Sequence, residues 1–170
     1  RAGLVGEDGA THHGSFAPGF LNTIPGLAIA APIDGVALET VLKSAIAGKG
    51  PWIIRYPKSD CRFLTNTLKP KFGKIRELKP GIQKAILSFG AIGTNAMDAL
   101  SGTDYAHYDV TYLKPIDKEA LNVIADKFSE VITVEENSAR GGLGDTVRAA
   151  FAELGSSIKV RSLALPDKFI

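Results

Sequence analysis

Three stretches of this sequence carry side chains whose types and spacing could do chemistry. The densest is Gly6-Glu7-Asp8-Gly9-Ala10-Thr11-His12-His13-Gly14, which sets two of the chain's three histidines close to an aspartate in a glycine-rich run. A loop imidazole can exchange a proton near neutral pH, or hydrogen-bond an oxygen that gathers negative charge. The flanking glycines let backbone approach a ligand closely. The competing reading is an ordinary glycine turn with incidental histidines, and spacing alone weighs the two equally. Metal binding by His12, His13 and Asp8 is the weaker idea, because neighbouring side chains on an extended loop diverge and no further ligand cluster is evident.

The second candidate is Arg55, which closes the apolar run Ile53-Ile54-Arg55-Tyr56-Pro57. An arginine at a strand end can aim a bidentate fork at phosphate or carboxylate. A structural ion pair is the alternative, and for a lone arginine the commoner one. The third stretch, Glu135 to Gly144, reads as a strand end running into a helix N-terminus, a geometry that can hold an anion. Its glycine spacing is not a P-loop, and turn and interface roles suit it better. Cys61 has no histidine near it in sequence, and no Ser–His–Asp pattern stands out.

These stretches need elements to position them. Ala2 to Val5 reads as the end of a buried strand and Leu27 to Ala31 as another, stopped by Pro32. Asp34 can cap a helix whose apolar face is Leu38, Val41, Leu42, Ala45 and Ile46, closed by Gly48 and Gly50. Trp52 to Tyr56 follows as a strand. From Lys58 to Pro80 seven basic residues stand against Asp60 and Glu77, which reads as a solvated linker entering an edge strand near Gly73 to Leu78. A nucleic-acid patch there is disfavoured, since only Phe63 and Phe72 could stack on bases. Beyond it, strands are expected at Lys84 to Phe89, His107 to Tyr112, Val131 to Val134 and Ile158 to Leu163. The helices between them are marked by Ile92 and Ala96, by Leu121 and Ile124 behind an Asp117 cap, and by Val147 and Phe151. Strands alternating with helices predict an α/β fold with a mostly parallel sheet.

Composition agrees. The 170 residues are 45% hydrophobic and 22% charged, with net charge +2, the balance of a globular protein with no global pull toward nucleic acid or an acidic membrane. No apolar run approaches the ~20 residues of a membrane span. The single cysteine fits a reducing compartment. The absence of an initial methionine and the apolar close at Leu163 to Ile170 suggest a piece of something longer.

Taken in order, the motifs resemble those of the 1-deoxy-D-xylulose-5-phosphate synthase family of transketolase-like enzymes. The matching pieces are Asp8-Gly9-Ala10-Thr11-His12-His13-Gly14-Ser15-Phe16, Phe20 to Gly26, Ala31-Pro32 and Ile54-Arg55-Tyr56-Pro57-Lys58. In the second half they are Leu87 to Gly90, Lys114 to Asp117, Val134 to Asn137, Gly141 to Gly144 and Leu165 to Asp167. Several of these are shared with transketolases and with the beta subunit of pyruvate dehydrogenase, whereas Thr-His-His-Gly and Arg-Tyr-Pro-Lys favour the synthase.

The resemblance implies the latter half of a pyrimidine-binding domain over residues 1–62, a linker and edge strand over 63–80, and a transketolase C-terminal-like α/β domain over 81–170. It implies a cytoplasmic homodimer that uses thiamine diphosphate and Mg2+ to condense pyruvate with glyceraldehyde 3-phosphate, losing CO2, with no nucleic-acid or membrane partner. The cofactor-ligating residues would lie outside this chain, leaving it inactive alone. By the same resemblance His12 is the active-site histidine, Asp8 the acidic residue beside it and Arg55 the arginine at the acceptor's phosphate. Two departures stand out: Ala17 replaces the family's usual aspartate, and Lys58-Ser59 replaces the commoner Arg-Gly. They leave open a transketolase or a 2-oxoacid dehydrogenase beta-type subunit, and beyond the enzymes a non-catalytic α/β dimerisation module.

Overall fold

The computed structural model describes residues 1–64 and 68–170. The chain opens with two single turns of 3-10 helix, Gly6–Asp8 and Ala10–His12, and a short helix α1 (Ala17–Leu21). The strand expected at Ala2 to Val5 does not form. Only an isolated bridge joins Gly3 to Gly14, although Ala2 and Val5 are buried. Gly3 and Gly6 take φ of 65° and 58°, left-handed conformations that end an extended run.

A parallel unit follows, β1 (Ala28–Ala30), α2 (Gly35–Ala47) and β2 (Trp52–Ile54). Asp34 caps α2 as its type and position predict: Oδ1 accepts from the Ala37 amide at 2.8 Å, and Oδ2 accepts from the Leu64 amide at 2.7 Å. The buried face of α2 is narrower than its apolar pattern. Ala37 and Val41 are fully covered, while Leu42 is 49% and Ile46 77% exposed.

The second sheet has five strands in the order β3-β5-β4-β7-β8: β3 (Arg76–Lys79), β4 (Ala85–Phe89), β5 (Ala106–Asp109), β7 (Glu130–Ser138) and β8 (Lys159–Leu165). All pairings are parallel except β3 with β5. Helices α3 (Ile92–Ala99), α4 (Lys118–Lys127) and α5 (Leu143–Glu153) supply the crossovers. Asp117 caps α4 through the Ala120 amide at 3.2 Å.

The run His107 to Tyr112, expected as one strand, divides. Its first part is β5; after Val110 and Thr111 the chain becomes β6 (Tyr112–Lys114), which pairs antiparallel with β1 in the first sheet. One apolar cluster therefore spans both sheets, from Ile29 and Leu113 through Leu87 to Leu143 and Phe151.

The basic segment between the sheets is fastened rather than simply solvated, and residues 65–67 of the expected linker lie outside the described residues. Phe72 packs on Trp52 and Tyr112, with ring centroids 5.0 and 5.3 Å away. Arg76 donates from Nε to Asp109 Oδ2 at 2.8 Å in a buried pair, and the Thr111 hydroxyl donates to the same oxygen at 2.7 Å. Burial still holds the Asp109 carboxyl above the usual carboxylate range. Among the described residues no helix is long and apolar enough to cross a membrane.

Candidate functional site

The loop Gly6 to Gly14 stands beside the end of β2, closed at its base by the Gly14 amide donating to Gly3 O at 2.9 Å. Its two histidines part company. His13 is half-buried and accepts from the Val5 amide on Nδ1 at 3.2 Å, so the ring holds the loop's shape and carries its proton on Nε2. His12 is exposed, with Nδ1 3.0 Å from Thr11 Oγ1 and no protein partner for Nε2 among the described residues. Of the two residues it is the more open to solvent.

Asp8 is gripped by two cations. Oδ2 accepts from Arg1 Nη1 at 2.5 Å and from Lys58 Nζ at 2.7 Å. The Lys58 hydrogen bond, then that of Arg1, hold its carboxyl below the ordinary value. Both cations remain about half exposed. An open depression of about 380 Å³, lined by Leu4, Val5, Gly6, Glu7, Lys58 and Ser59, lies against Lys58. The sequence marks neither Arg1 nor Lys58 as a partner of Asp8; the one signal is that Lys58 stands where an arginine is commoner.

Arg55 is elsewhere. It leaves β2 with its amide donating to Ala30 O at 2.8 Å and turns inward, 4% exposed. Nη1 donates to Asn137 Oδ1 at 2.8 Å and Nη2 to Gly14 O at 2.5 Å, with the guanidinium carbon 5.7 Å from the Phe89 ring centre. Burial pulls its pKa down to about 10, against the opposing pull of Glu135 and Glu136. Both ends of the fork are thus given to protein groups.

Glu135, Glu136 and Asn137, expected in a turn after a strand, lie within β7, whose pairing with β8 shifts between Val134 and Ser138. The helix N-terminus, a geometry that can hold an anion although turn and interface roles suit it better, holds a carboxylate of the protein itself. Glu135 Oε2 accepts from the Leu143 amide at 2.6 Å and Oε1 from the Gly144 amide at 2.9 Å. Asn137 Nδ2 donates to the same carboxylate. Gly142 is required here, because a Cβ on it would lie 2.2 Å from Glu135 Oε2. Burial raises the pKa of Glu135 while these backbone donors pull it down. The structure therefore brings Asp8, Arg1 and Lys58 together, leaves His12 exposed in the same loop as Asp8, and buries Arg55 against Gly14 and Asn137.

Residues 1–63 match the family of the transketolase pyrimidine-binding domain, and residues 73–170 that of the transketolase C-terminal domain. The chain belongs to the transketolase family. It is 40% identical over 179 residues to a 1-deoxy-D-xylulose-5-phosphate synthase of Parabacteroides distasonis, covering 100% of this chain and 28% of that protein. The synthase of Thermus thermophilus is 39% identical over 173 residues, covering 99% and 28%. Among solved structures, a split-gene transketolase described as an inactive beta4 tetramer superposes with TM-score 0.86 at 27% identity, over 93% of this chain and 55% of its own. A Pichia stipitis transketolase superposes at 0.69 with 20% identity, over 95% and 24%, which shows the fold alone.

The chain thus spans a little over a quarter of the length of the curated relatives it matches. Enzymes of this family use thiamine diphosphate. Among the described residues no group of three or more His, Cys, Asp or Glu is arranged to hold a metal ion.

Proposed function

We propose that this chain is the acceptor-facing part of a cytoplasmic, homodimeric 1-deoxy-D-xylulose-5-phosphate synthase. The reaction condenses pyruvate with glyceraldehyde 3-phosphate, with loss of CO2, for isoprenoid, thiamine and pyridoxal synthesis. Residues 1–62 are assigned to the latter half of the pyrimidine-binding domain, 63–80 to the linker and edge strand, and 81–170 to the C-terminal domain. The observation that carries the reading is the loop itself, which exposes the His12 ring with Nε2 unpartnered among the described residues and carries, four residues earlier, a carboxylate held by two solvent-reachable cations.

The residues divide the work by what each can reach. His12 Nε2 hydrogen-bonds the oxygen that becomes charged in reaction and passes or receives its proton. Asp8 holds Arg1 and Lys58 in place. Arg55 is assigned to the acceptor's phosphate, as the resemblance implies, with the more exposed Arg1 and Lys58 as further cations; one hydrogen bond from each Nη of Arg55 goes to Asn137 and Gly14, while its Nε has no protein partner among the described residues. Lysine acts as a point charge, arginine as a fork. Thiamine diphosphate supplies the carbanion chemistry that no side chain provides, held with Mg2+ by the part of the enzyme outside this chain.

One observation favours a second reading. The likeness to a split-gene transketolase subunit suits a separately encoded chain that transfers two-carbon units between sugars. Donor choice by the complete polypeptide separates the two. The synthase reading expects pyruvate to be consumed with glyceraldehyde 3-phosphate; two-carbon transfer from xylulose 5-phosphate instead gives the transketolase reading.

A further inference from the structure

The geometry points to Asn137 as a positioning residue for the His12 loop, acting through Arg55 from the opposite half of the chain. Asn137 is 1% exposed, and its amide is committed at both ends. Oδ1 accepts from Arg55 Nη1 at 2.8 Å, and Nδ2 donates to the Glu135 carboxylate. That orientation is fixed by chemistry: turned over, the amide would set nitrogen against guanidinium and oxygen against carboxylate.

Glu135 is itself immobile, since both its oxygens cap α5. The chain of bonds therefore starts on a helix N-terminus, passes through Glu135, Asn137 and Arg55 Nη2, and ends on the carbonyl of Gly14. Gly14 closes the loop base with Gly3 and lies two residues from His12. The Ser138 amide adds a parallel tie to Ser15 O at 2.7 Å. Asn137→Asp would place a second carboxylate against Glu135; Asn137→Leu would remove the acceptor of Arg55 Nη1 and leave the buried guanidinium with the Gly14 carbonyl.

The inference rests on the reading that the His12 loop faces the reaction. Its first test is independent of catalysis. Hydrogen exchange is followed on this chain for wild type and Asn137→Ala, comparing the Gly14 and Val5 amides with those of α4 such as Ile124. The expected result is exchange at least about tenfold faster in the loop with α4 unchanged. Unchanged loop exchange, or equal acceleration in the loop and α4, overturns the proposal.

If Asn137→Ala does not fold, Arg55→Lys replaces it. This variant keeps the charge, but one ammonium cannot bridge Asn137 and Gly14, so the same loop-selective effect is expected. In the complete polypeptide Asn137→Ala is expected to lower kcat while the KM for pyruvate stays within about twofold. A rise in KM alone counts against positioning. If the wild type does not turn over pyruvate, the functional reading fails while the exchange result still decides the latch.

Discussion

Arg55 and Asn137, 82 positions apart in sequence, meet through Nη1 and Oδ1 at 2.8 Å, with 4% and 1% of their surfaces exposed. Through this contact Arg55 ties the loop to the second sheet. Lys58, about half exposed beside Asp8, is proposed as a further cation for the acceptor's phosphate.

Lys58→Ala in the complete enzyme is accordingly expected to raise the KM for glyceraldehyde 3-phosphate about tenfold or more, the effect of losing a charged hydrogen bond. Pyruvate's KM should hardly move. Lys58→Arg, which supplies the residue commoner in the family, should bind the acceptor at least as well. Steady-state kinetics with the phosphorylated acceptor and with D-glyceraldehyde checks this; equal losses on both would remove Lys58 from the phosphate.

Glu135 makes a stability prediction. Glu135→Ala leaves two buried amides of α5 and Asn137 Nδ2 without their acceptor. A loss of about 2 kcal/mol or more is expected, since each buried donor left unpaired costs about 1–3 kcal/mol. Glu135→Gln, which keeps one acceptor oxygen, should lose less. Urea unfolding of the chain at neutral pH measures both, and a change below about 0.5 kcal/mol for the alanine variant would mean that water replaces the carboxylate.

Local chemistry was legible in the sequence and long-range pairing was not. Asp34 and Asp117 announce their caps because a cap acts within three residues. The buried runs at Leu27 to Ala31 and Lys84 to Phe89 announce strands by continuous apolarity. Ala2 to Val5 misleads because burial without pairing leaves the same apolar signature. His107 to Tyr112 hides a change of sheet, since both halves are buried and no periodicity marks the crossing. Glu135 to Asn137 look like a polar turn because their partners, Arg55 and the start of α5, are assembled by the fold. For the loop, sequence ranks His12 and His13 only by resemblance; the Val5 amide on His13 supplies the physical distinction.

His107 gives a pH signature. It is fully buried with Nε2 2.8 Å from Ser88 Oγ, and burial, with a smaller push from Lys79, lowers its pKa to about 4 from an ordinary 6.5. Between these values the unfolded chain binds more protons than the folded one, so this group's contribution is full above pH 6.5 and is lost as pH falls toward 4. The raised pKa of Glu135, Glu136 and Asp109 acts in the opposite sense, so the comparison must be with a variant. The stability of wild type minus that of His107→Gln should grow by up to about 3 kcal/mol from pH 4 to 6.5 and then level off. A pH-independent difference would contradict neutral burial of this imidazole.

The chain by itself is expected neither to bind thiamine diphosphate tightly nor to consume pyruvate, because the resemblance places the cofactor-ligating residues outside it and no side chain replaces the cofactor's carbanion chemistry. Calorimetric titration with the cofactor and Mg2+ should show no micromolar binding. A micromolar dissociation constant would place a cofactor site on this chain.

The central claim is that His12 meets the reacting oxygen in a pyruvate-consuming enzyme. Its most direct measurement follows 13C-labelled pyruvate with glyceraldehyde 3-phosphate by NMR in the complete polypeptide, for wild type, His12→Ala and His13→Ala. Wild type is expected to give labelled 1-deoxy-D-xylulose 5-phosphate. A kcat about 10²–10³ lower is expected for His12→Ala, the usual loss for such a donor, and a clearly smaller loss for a folded His13→Ala, whose ring shapes the loop. Near-normal turnover by His12→Ala beside a crippled His13→Ala, or no such product from wild type, would contradict it.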